Sequence, residues 1–297
     1  MTDSVDPTTL SVLADLAAVA VVALFLGAGV YKGCRALGFG AGWAERGRVP
    51  AAGIYRGADA AAVLVLSVLI WYGLQAMAVG ERPDSALEKA AAAAGTSASQ
   101  GETLSALLGN VIFMLLVAGF LLAYLRQIRG LDPVVIFGLR RLPLGRVLLY
   151  AVAFLLPTLL IVSVTAAWFM GALQEVWPDL QPQDTVQIFS EDSSPLVRGM
   201  MVLLAVVVAP LVEETLFRGF IYGVIKRFTD GWFAAGVSSL LFALAHFHLG
   251  SALPLFVLAL GFTLAYERTG SLLVPMAMHA LFNTTTLVLL IFAGDAA

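Results

Sequence analysis

The sequence predicts an all-α protein, a polytopic transmembrane helical bundle of about eight spans. Hydrophobic residues make up 60% of its 297 residues and charged residues only 12%, whereas soluble domains carry about 25% charged residues. Several apolar runs also reach the ~20 residues that a helix needs to cross a bilayer. The bilayer is therefore the expected environment. No basic tract of the kind that binds nucleic acid appears, so we expect no nucleic-acid partner.

Eight spans follow from the apolar runs and from the charges between them. The predicted spans cover residues 10–31, 59–79, 104–125, 147–173, 196–225, 232–248, 251–266 and 271–293. The first four loops alternate in charge: the first and third are basic, and the second and fourth are acidic. Because positive residues collect on the cytoplasmic side, we expect both termini to lie outside. The short loops and acidic outer segments favour a prokaryotic plasma membrane.

The chain divides into two regions by the kind of residue it places in its spans. Residues 1–195 form an N-terminal four-span membrane region whose spans show no constellation with a chemical role. Within that region, residues 130–146 are typical of an interfacial segment, with a proline-bounded apolar run and arginines that can meet anionic headgroups. Residues 196–297 place polar side chains inside apolar runs. We therefore expect this second region to be the catalytic membrane domain.

The fifth span contains Glu213, Glu214 and Arg218 near its middle. A charged side chain at mid-membrane costs roughly 2.5–3.5 kcal/mol even on the gentler insertion scales. Glu214 and Arg218 are four residues apart and share a helix face in the favourable acid-first order. Glu213 is rotated by about 100° from that face. The arginine is thus expected to neutralise Glu214 and to leave the Glu213 carboxylate available.

Two later spans repeat the four-residue spacing with other polar residues. Phe242 and His246 form one such pair, and His279 and Asn283 form the other, so each pair lies on one helix face. A single intramembrane histidine or asparagine is often interhelical glue, worth about 0.6 kcal/mol. A carboxylate, two histidines and an amide on three helices instead favour a functional site. His248, which faces elsewhere and lies nearer the loop, is interpreted as interfacial.

These residue types suit peptide hydrolysis without an acyl-enzyme. A carboxylate held away from bulk water can act as a general base toward water, and a neighbouring imidazole can orient that water and protonate a leaving amine. A second imidazole with an amide N–H can donate to a developing oxyanion. The sequence contains no evident Ser-His-Asp set and no HExxH pattern. Two histidines and a glutamate could also ligate zinc.

Three segments resemble the motifs of a known family. EETLFR (213–218), FALAH (242–246) and HALFN (279–283) match, in order, the EExxxR, FxxxH and HxxxN motifs of the CPBP intramembrane proteases. That family includes the type II CAAX prenyl endopeptidases and the lysostaphin-resistance-like, or Abi, proteins. The resemblance covers roughly residues 197–293 and implies an intramembrane endopeptidase acting on a membrane-associated peptide or protein substrate, with a prenylated C-terminal peptide as the family-level expectation.

The resemblance also implies a role for each matched residue. Glu213 is implied as the water-activating glutamate with His246 as its partner, and His279 with Asn283 as the oxyanion-stabilising pair. Glu214, Arg218 and Phe242 are implied as structural support. Glu213, His246 and His279 would be the ligands if zinc were used, and we favour the metal-free scheme.

The depth of His246 in the membrane and the function of the protein can each be interpreted in more than one way. A straight sixth helix would place His246 near the outer membrane edge, whereas short, tilted sixth and seventh spans or a break near Gly250 would bring it to Glu213.

A zinc-dependent version of the same reaction is one alternative function. A non-proteolytic scaffold or immunity protein that keeps the motif helices for packing is another. Proton- or ion-coupled transport ranks last, because no transporter-type repeat of discontinuous helices appears.

Overall fold

The computed structural model describes residues 31–33, 36, 52–66, 98–176, 194–246 and 248–294, and every regular element within these ranges is a helix. The predicted all-α class is therefore confirmed. A short 3-10 turn at Ala52–Ile54 precedes the elements that concern the site. These are α1 (Gly57–Leu66), α2 (Ala98–Ala123, continued by the π-helical turn Tyr124–Ile128), α3 (Pro133–Ile136), α4 (Leu144–Val176), α5 (Pro195–Phe228), α6 (Gly231–Leu244), α7 (Leu249–Thr269) and α8 (Leu273–Gly294).

Five of the described helices are long and apolar enough to cross a bilayer, namely α2, α4, α5, α7 and α8. The chain is therefore a multi-pass membrane protein. The predicted span at 10–31 lies outside the described residues apart from Tyr31, and the span at 59–79 is described only as far as Leu66. The count of about eight spans is not confirmed.

Helix α6 differs from the predicted sixth span. The prediction ran from residue 232 to residue 248, but α6 ends at Leu244 after 14 residues. At 1.5 Å per residue this helix is roughly 21 Å long, shorter than the ~30 Å hydrocarbon core. The chain leaves the helix as a turn at Ala245 and His246 and enters α7 at Leu249. His246 thus lies at a break between two helices, just before Gly250.

Side-chain caps set the first turns of the helices on either side of this break. Asp230 begins α6 by accepting hydrogen bonds from the backbone N–H groups of Trp232 (3.1 Å) and Phe233 (2.9 Å). His248 begins α7 by accepting from the N–H of Ser251 at 3.1 Å. These caps satisfy N–H groups that have no partner within a helix. His248, which the sequence analysis interprets as interfacial, therefore has a specific structural role as the N-cap of α7.

Helix α5 changes its winding twice. Leu204–Val208 and Thr215–Ile221 are π-helical, on either side of the α-helical segment Ala209–Glu214. Pro210 has no backbone N–H, and its ring crowds the preceding turn, which a wider π-turn can accommodate. π-turns are rare and frequently occur at functional sites. The two glutamates lie between these two turns.

The helices pack around α5 and α7. Helix α7 contacts α4, α6 and α8, while α8 also contacts α4 and the Leu204–Val208 turn of α5. Helix α2 packs along the first half of α5. The core includes fully buried aromatic rings from α5, α6 and α7, among them Phe220, Phe242 and Phe262. This packing brings the EExxxR, FxxxH and HxxxN helices together.

Residues 52–66, which include α1, are fixed to α5 and α2 by buried polar contacts. The hydroxyl of Tyr55 donates to the carbonyl oxygen of Gly219 in α5 at 2.9 Å. The fully buried Asp59 carboxylate accepts from Arg129 Nε at 2.7 Å and from the Tyr124 hydroxyl at 2.8 Å. Residues 52–66 therefore support α5 directly behind the π-helical turn that follows the glutamates.

We expect Tyr55→Phe to destabilise the protein, because it leaves the buried Gly219 carbonyl without this donor. Losing such a bond costs about 1 kcal/mol, which should lower the thermal midpoint by about 2–4 °C for a domain of this size. Unfolding in detergent monitored by circular dichroism measures the change. Tyr150→Phe on the exposed surface of α4 is the matched control; an equal drop in both variants would contradict the assignment.

Candidate active site

The carboxylate of Glu214 joins α5 to α8. Its Oε1 atom accepts a hydrogen bond from Arg218 Nη1 at 2.8 Å and lies 3.0 Å from His279 Nδ1. Glu214, Arg218 and His279 are all buried, with the glutamate fully inaccessible to solvent. The two motif helices are therefore connected through a single buried oxygen atom.

The guanidinium of Arg218 is enclosed by two aromatic rings. Its Cζ atom lies 4.4 Å from the centre of the Phe242 ring and 5.1 Å from that of Phe262. Its Nη2 atom donates to the carbonyl oxygen of Ala259 at 3.3 Å. A desolvated cation over an aromatic face gains on the order of 2 kcal/mol. The ion pair, two rings and a carbonyl together offset the cost of removing this charge from water.

Glu214 also orients the His279 ring. Since a carboxylate accepts hydrogen bonds, the 3.0 Å contact places a proton on His279 Nδ1. The ring stacks on Phe262 at 5.2 Å between centroids and meets Phe242 at a steep angle of 74°. With Nδ1 fixed on Glu214, the opposite ring atom, Nε2, points toward Glu213.

The Glu213 carboxylate is less enclosed than that of Glu214. Its side chain is 18% exposed, and its Oε2 atom lies 3.9 Å from His279 Nε2. That distance is too long for a direct hydrogen bond. Glu213 Oε2 is buried and has no hydrogen-bond partner among the described residues. The arrangement leaves one carboxylate oxygen available for chemistry beside an oriented imidazole.

His246 lies next to this group, against the ring of Phe242. Its Nδ1 atom is 2.9 Å from the carbonyl oxygen of Phe242, and the rings of Phe242 and His246 are 4.9 Å apart. Because a carbonyl only accepts, Nδ1 holds a proton and a neutral ring presents Nε2 as an acceptor. The expected contact between His246 and Glu213 stays a prediction.

Asn283 is one helical turn beyond His279 and contacts a different part of α5. Its Nδ2 atom donates to the carbonyl oxygen of Ala205 at 2.7 Å. That carbonyl lacks a helical donor, since the N–H of Ala209 bonds to Leu204 and Pro210 has no N–H. Asn283 therefore satisfies a carbonyl left unpaired by the proline, and its amide retains a second N–H.

The structure thus gathers most of the predicted residues into one cluster. Glu213, Glu214, Arg218, Phe242 and His279 are connected by the contacts above, with His246 against Phe242 and Asn283 joined to α5 separately. Sequence analysis missed Phe262, Ala259 and Ala205. Phe262 lies in an ordinary apolar run, and the other two act through backbone carbonyls, so no side-chain pattern could have revealed them.

The three candidate zinc ligands do not form a metal site in this arrangement. Among the described residues, no three histidine, cysteine, aspartate or glutamate side chains are grouped so that they could hold a metal ion. His279 Nδ1 is committed to Glu214, and His246 Nδ1 to a backbone carbonyl. These two bonds leave Nε2 of each ring as the nitrogen that could bind a metal, which is the usual arrangement in zinc sites, but the third candidate ligand is not grouped with them among the described residues.

Glu214→Gln should be far more destabilising than Glu213→Gln. The first change leaves the buried Arg218 charge without its counter-ion, which typically costs about 3–5 kcal/mol, whereas Glu213 Oε2 has no hydrogen bond in the described part of the chain to lose. Reversible unfolding in mixed micelles gives both free energies. Equal stabilities for the two variants would contradict the supporting role of Glu214.

Comparisons with known proteins are consistent with this geometry. Residues 195–285 match the family model described as type II CAAX prenyl endopeptidase Rce1-like. The Bacillus subtilis (strain 168) protein named "Putative membrane peptidase YdiL" is 34% identical over 92 residues, which is 30% of this chain and 37% of that protein. An Escherichia coli "Uncharacterized 24.3 kDa protein" is 34% identical over 145 residues, which is 43% of this chain and 64% of that protein.

The chain thus spans less than two thirds of the length of each of these two relatives. No solved structure matches the chain. The family match includes all seven residues singled out in the three motifs. The resemblance predicted from those motifs is therefore confirmed: residues 195–285 of this chain are similar to the Rce1-like type II CAAX prenyl endopeptidases.

Proposed function

We propose that this protein is an intramembrane endopeptidase that hydrolyses a peptide bond of a membrane-associated substrate, with Glu213 activating the attacking water. The observation that supports this most is the placement of Glu213 Oε2, which is buried, 3.9 Å from an oriented imidazole and without a hydrogen-bond partner among the described residues. Glu214 Oε2 likewise has no hydrogen-bond partner among them, but Glu214 has a counter-ion in Arg218, which a purely structural carboxylate at this depth would be expected to have.

In the proposed reaction Glu213 acts as the general base. A water molecule that enters with the substrate and reaches the Glu213 carboxylate gives a proton to it while the water oxygen attacks the scissile carbonyl carbon. The resulting oxyanion accepts hydrogen bonds from the predicted pair, His279 and Asn283. Donation from His279 Nε2 requires a second proton on the ring, and protonated Glu213 is adjacent to supply it.

Collapse of the tetrahedral intermediate completes the cycle. As the oxyanion reverts to a carbonyl, His279 Nε2 returns its proton to Glu213. The C–N bond breaks, the nitrogen takes that proton, and the products are a carboxylic acid, which then ionises, and an amine. His246, whose Nδ1–H is held by the Phe242 carbonyl, is the predicted partner of Glu213 and would pass this proton through Nε2. Glu214 and Arg218 take no part in proton transfer and keep His279 in position.

The cellular setting is part of the same proposal. Residues 196–297 would form the catalytic membrane domain, with residues 1–195 as an N-terminal four-span region. The basic and acidic loops support a prokaryotic plasma membrane with both termini outside. The Rce1-like match supports a CAAX-type substrate, in which the cleaved bond lies near a membrane-held C-terminus.

Cleavage of quenched fluorescent peptides, prenylated and unprenylated, by the purified full chain tests this function. Glu213→Gln should reduce turnover by about 10²–10⁴-fold, the usual contribution of a general base, without loss of folded protein. Glu175→Gln, an exposed change of the same type on α4, should leave turnover unaltered.

Adding a tight zinc chelator to the same cleavage assay distinguishes the metal-free scheme from the zinc-dependent one. Turnover that persists with a tight zinc chelator and disappears in Glu213→Gln would agree with a glutamate protease. Loss of wild-type turnover with chelator, restored by added zinc, would show that a metal is required. Full activity in Glu213→Gln would contradict the proposed role of this residue.

A further inference from the structure

The ring of Phe262 on α7 contacts both Arg218 and His279 in the candidate active site. It stacks on the His279 imidazole at 5.2 Å between centroids with an interplanar angle of 29°, and its centre lies 5.1 Å from Arg218 Cζ. The side chain is fully buried. Because it has no group that donates, accepts or transfers a proton, any part that it plays in the reaction must act through its neighbours.

The hydrogen bond between His279 Nδ1 and Glu214 does not by itself fix the imidazole ring. The torsion that turns a histidine ring has broad minima, and a hydrogen bond tolerates considerable bending before it weakens steeply. A ring held at Nδ1 alone can therefore tilt and carry Nε2 away from Glu213. Phe242 meets the imidazole at 74°, whereas Phe262 lies nearly parallel to it. Phe262 is thus the neighbour that resists a tilt of the ring out of its plane.

The position of Phe262 is itself fixed by the packing of α7 on α4 and α8. Gly261, the residue before it, lies so close to α4 that an added Cβ would be 2.7 Å from Thr158 Oγ1. Phe262 belongs to a core cluster with buried residues of α4 and α8, among them Met278, which precedes His279. Close-packed side chains of this kind yield little. The ring beneath the imidazole is therefore a rigid support.

We propose that Phe262 is a positioning residue for the reaction, which holds the plane of the His279 ring so that Nε2 stays turned toward Glu213. The inference rests on the proposed function, since it gives Phe262 a part in the same proton transfer. In that step Glu213 passes a proton to Nε2, the imidazolium donates a hydrogen bond to the oxyanion, and the proton returns to Glu213 as the intermediate collapses. The π face of Phe262 carries partial negative charge and attracts this transient cation.

The distance between the two groups makes this transfer sensitive to the angle of the ring. Glu213 Oε2 and His279 Nε2 are 3.9 Å apart, so they must approach by about 1 Å before they can share a proton. A tilt that moves Nε2 further away would oppose that approach. A misplacement of about 1 Å can lower a rate by about 10²-fold. Loss of the stacked ring should therefore slow the chemical step.

Cleavage of a quenched fluorescent peptide by the full chain carrying Phe262→Leu tests the proposal. Leucine stays apolar but has no flat face, so kcat should fall by about 10–100-fold. KM should stay within about twofold of the wild-type value, since a fully buried ring offers no surface to a substrate. Phe256→Leu, the same change at a half-buried residue of α7 that lines a cavity beside α6, should keep the wild-type kcat.

Three results of this assay would overturn the proposal: an unchanged kcat in Phe262→Leu, an effect on KM alone, or an equal loss of kcat in Phe256→Leu. Thermal unfolding of each variant sets the assay temperature below the lowest midpoint, so that only folded protein is compared. Phe262→Met, whose flexible side chain fills irregular space, takes the place of Phe262→Leu if the leucine variant is not monodisperse.

The ¹⁵N chemical shifts of the His279 imidazole test the same inference without turnover. In Phe262→Leu the tilted ring should bond less well to Glu214, so the proton should divide between Nδ1 and Nε2 and the two shifts should move toward each other. Wild-type shifts in this variant would show that Glu214 alone orients the ring, and would overturn the proposal. Changed shifts, together with a wild-type chain that cleaves no peptide, would contradict the proposed function while supporting the effect of Phe262 on the ring.

Discussion

The buried carboxylate of Glu214 is the constraint on which the arrangement of this site depends. A charge in a membrane interior is tolerated only with compensating partners, and here those partners come from four of the described helices. Arg218 is on the same helix, Phe242 is on α6, Ala259 and Phe262 are on α7, and His279 is on α8. Each helix supplies a counter-charge, a hydrogen-bond partner or an aromatic face to this ion pair, so the need to pair Glu214 and Arg218 defines how the helices meet.

The backbone of α5 provides the second constraint. Pro210 interrupts the helical hydrogen bonds just before the glutamates, and the π-turns on either side adjust the winding of the helix. Asn283 compensates for the lost donor at Ala205 and joins α8 to α5 at a second point. Asn283 and His279, four residues apart, thus hold α8 in register with the Glu213–Glu214 pair. An amide implied as an oxyanion donor also has a clear structural task.

Much of this site could be predicted from the sequence because its key contacts are local. The four-residue spacing of Glu214 and Arg218 predicts their ion pair, and the rotation of Glu213 away from them predicts its different environment. The end of α6 was predicted too late, because the apolar pattern continues through Ala245 while the cap at His248 begins a new helix. The aromatic ring of Phe262 and the backbone acceptors depend on how helices pack, which residue periodicity does not encode.

The central claim is that Glu214 fixes His279 so that Nε2 faces Glu213. The ¹⁵N chemical shifts of the His279 imidazole measure this directly, and the chain has only three histidines, so replacing His246 and His248 singly assigns the spectrum. The account predicts a neutral ring with its proton held on Nδ1 and with Nε2 unprotonated, and loss of this preference in Glu214→Gln. A neutral ring with its proton on Nε2 in the wild-type protein would contradict it.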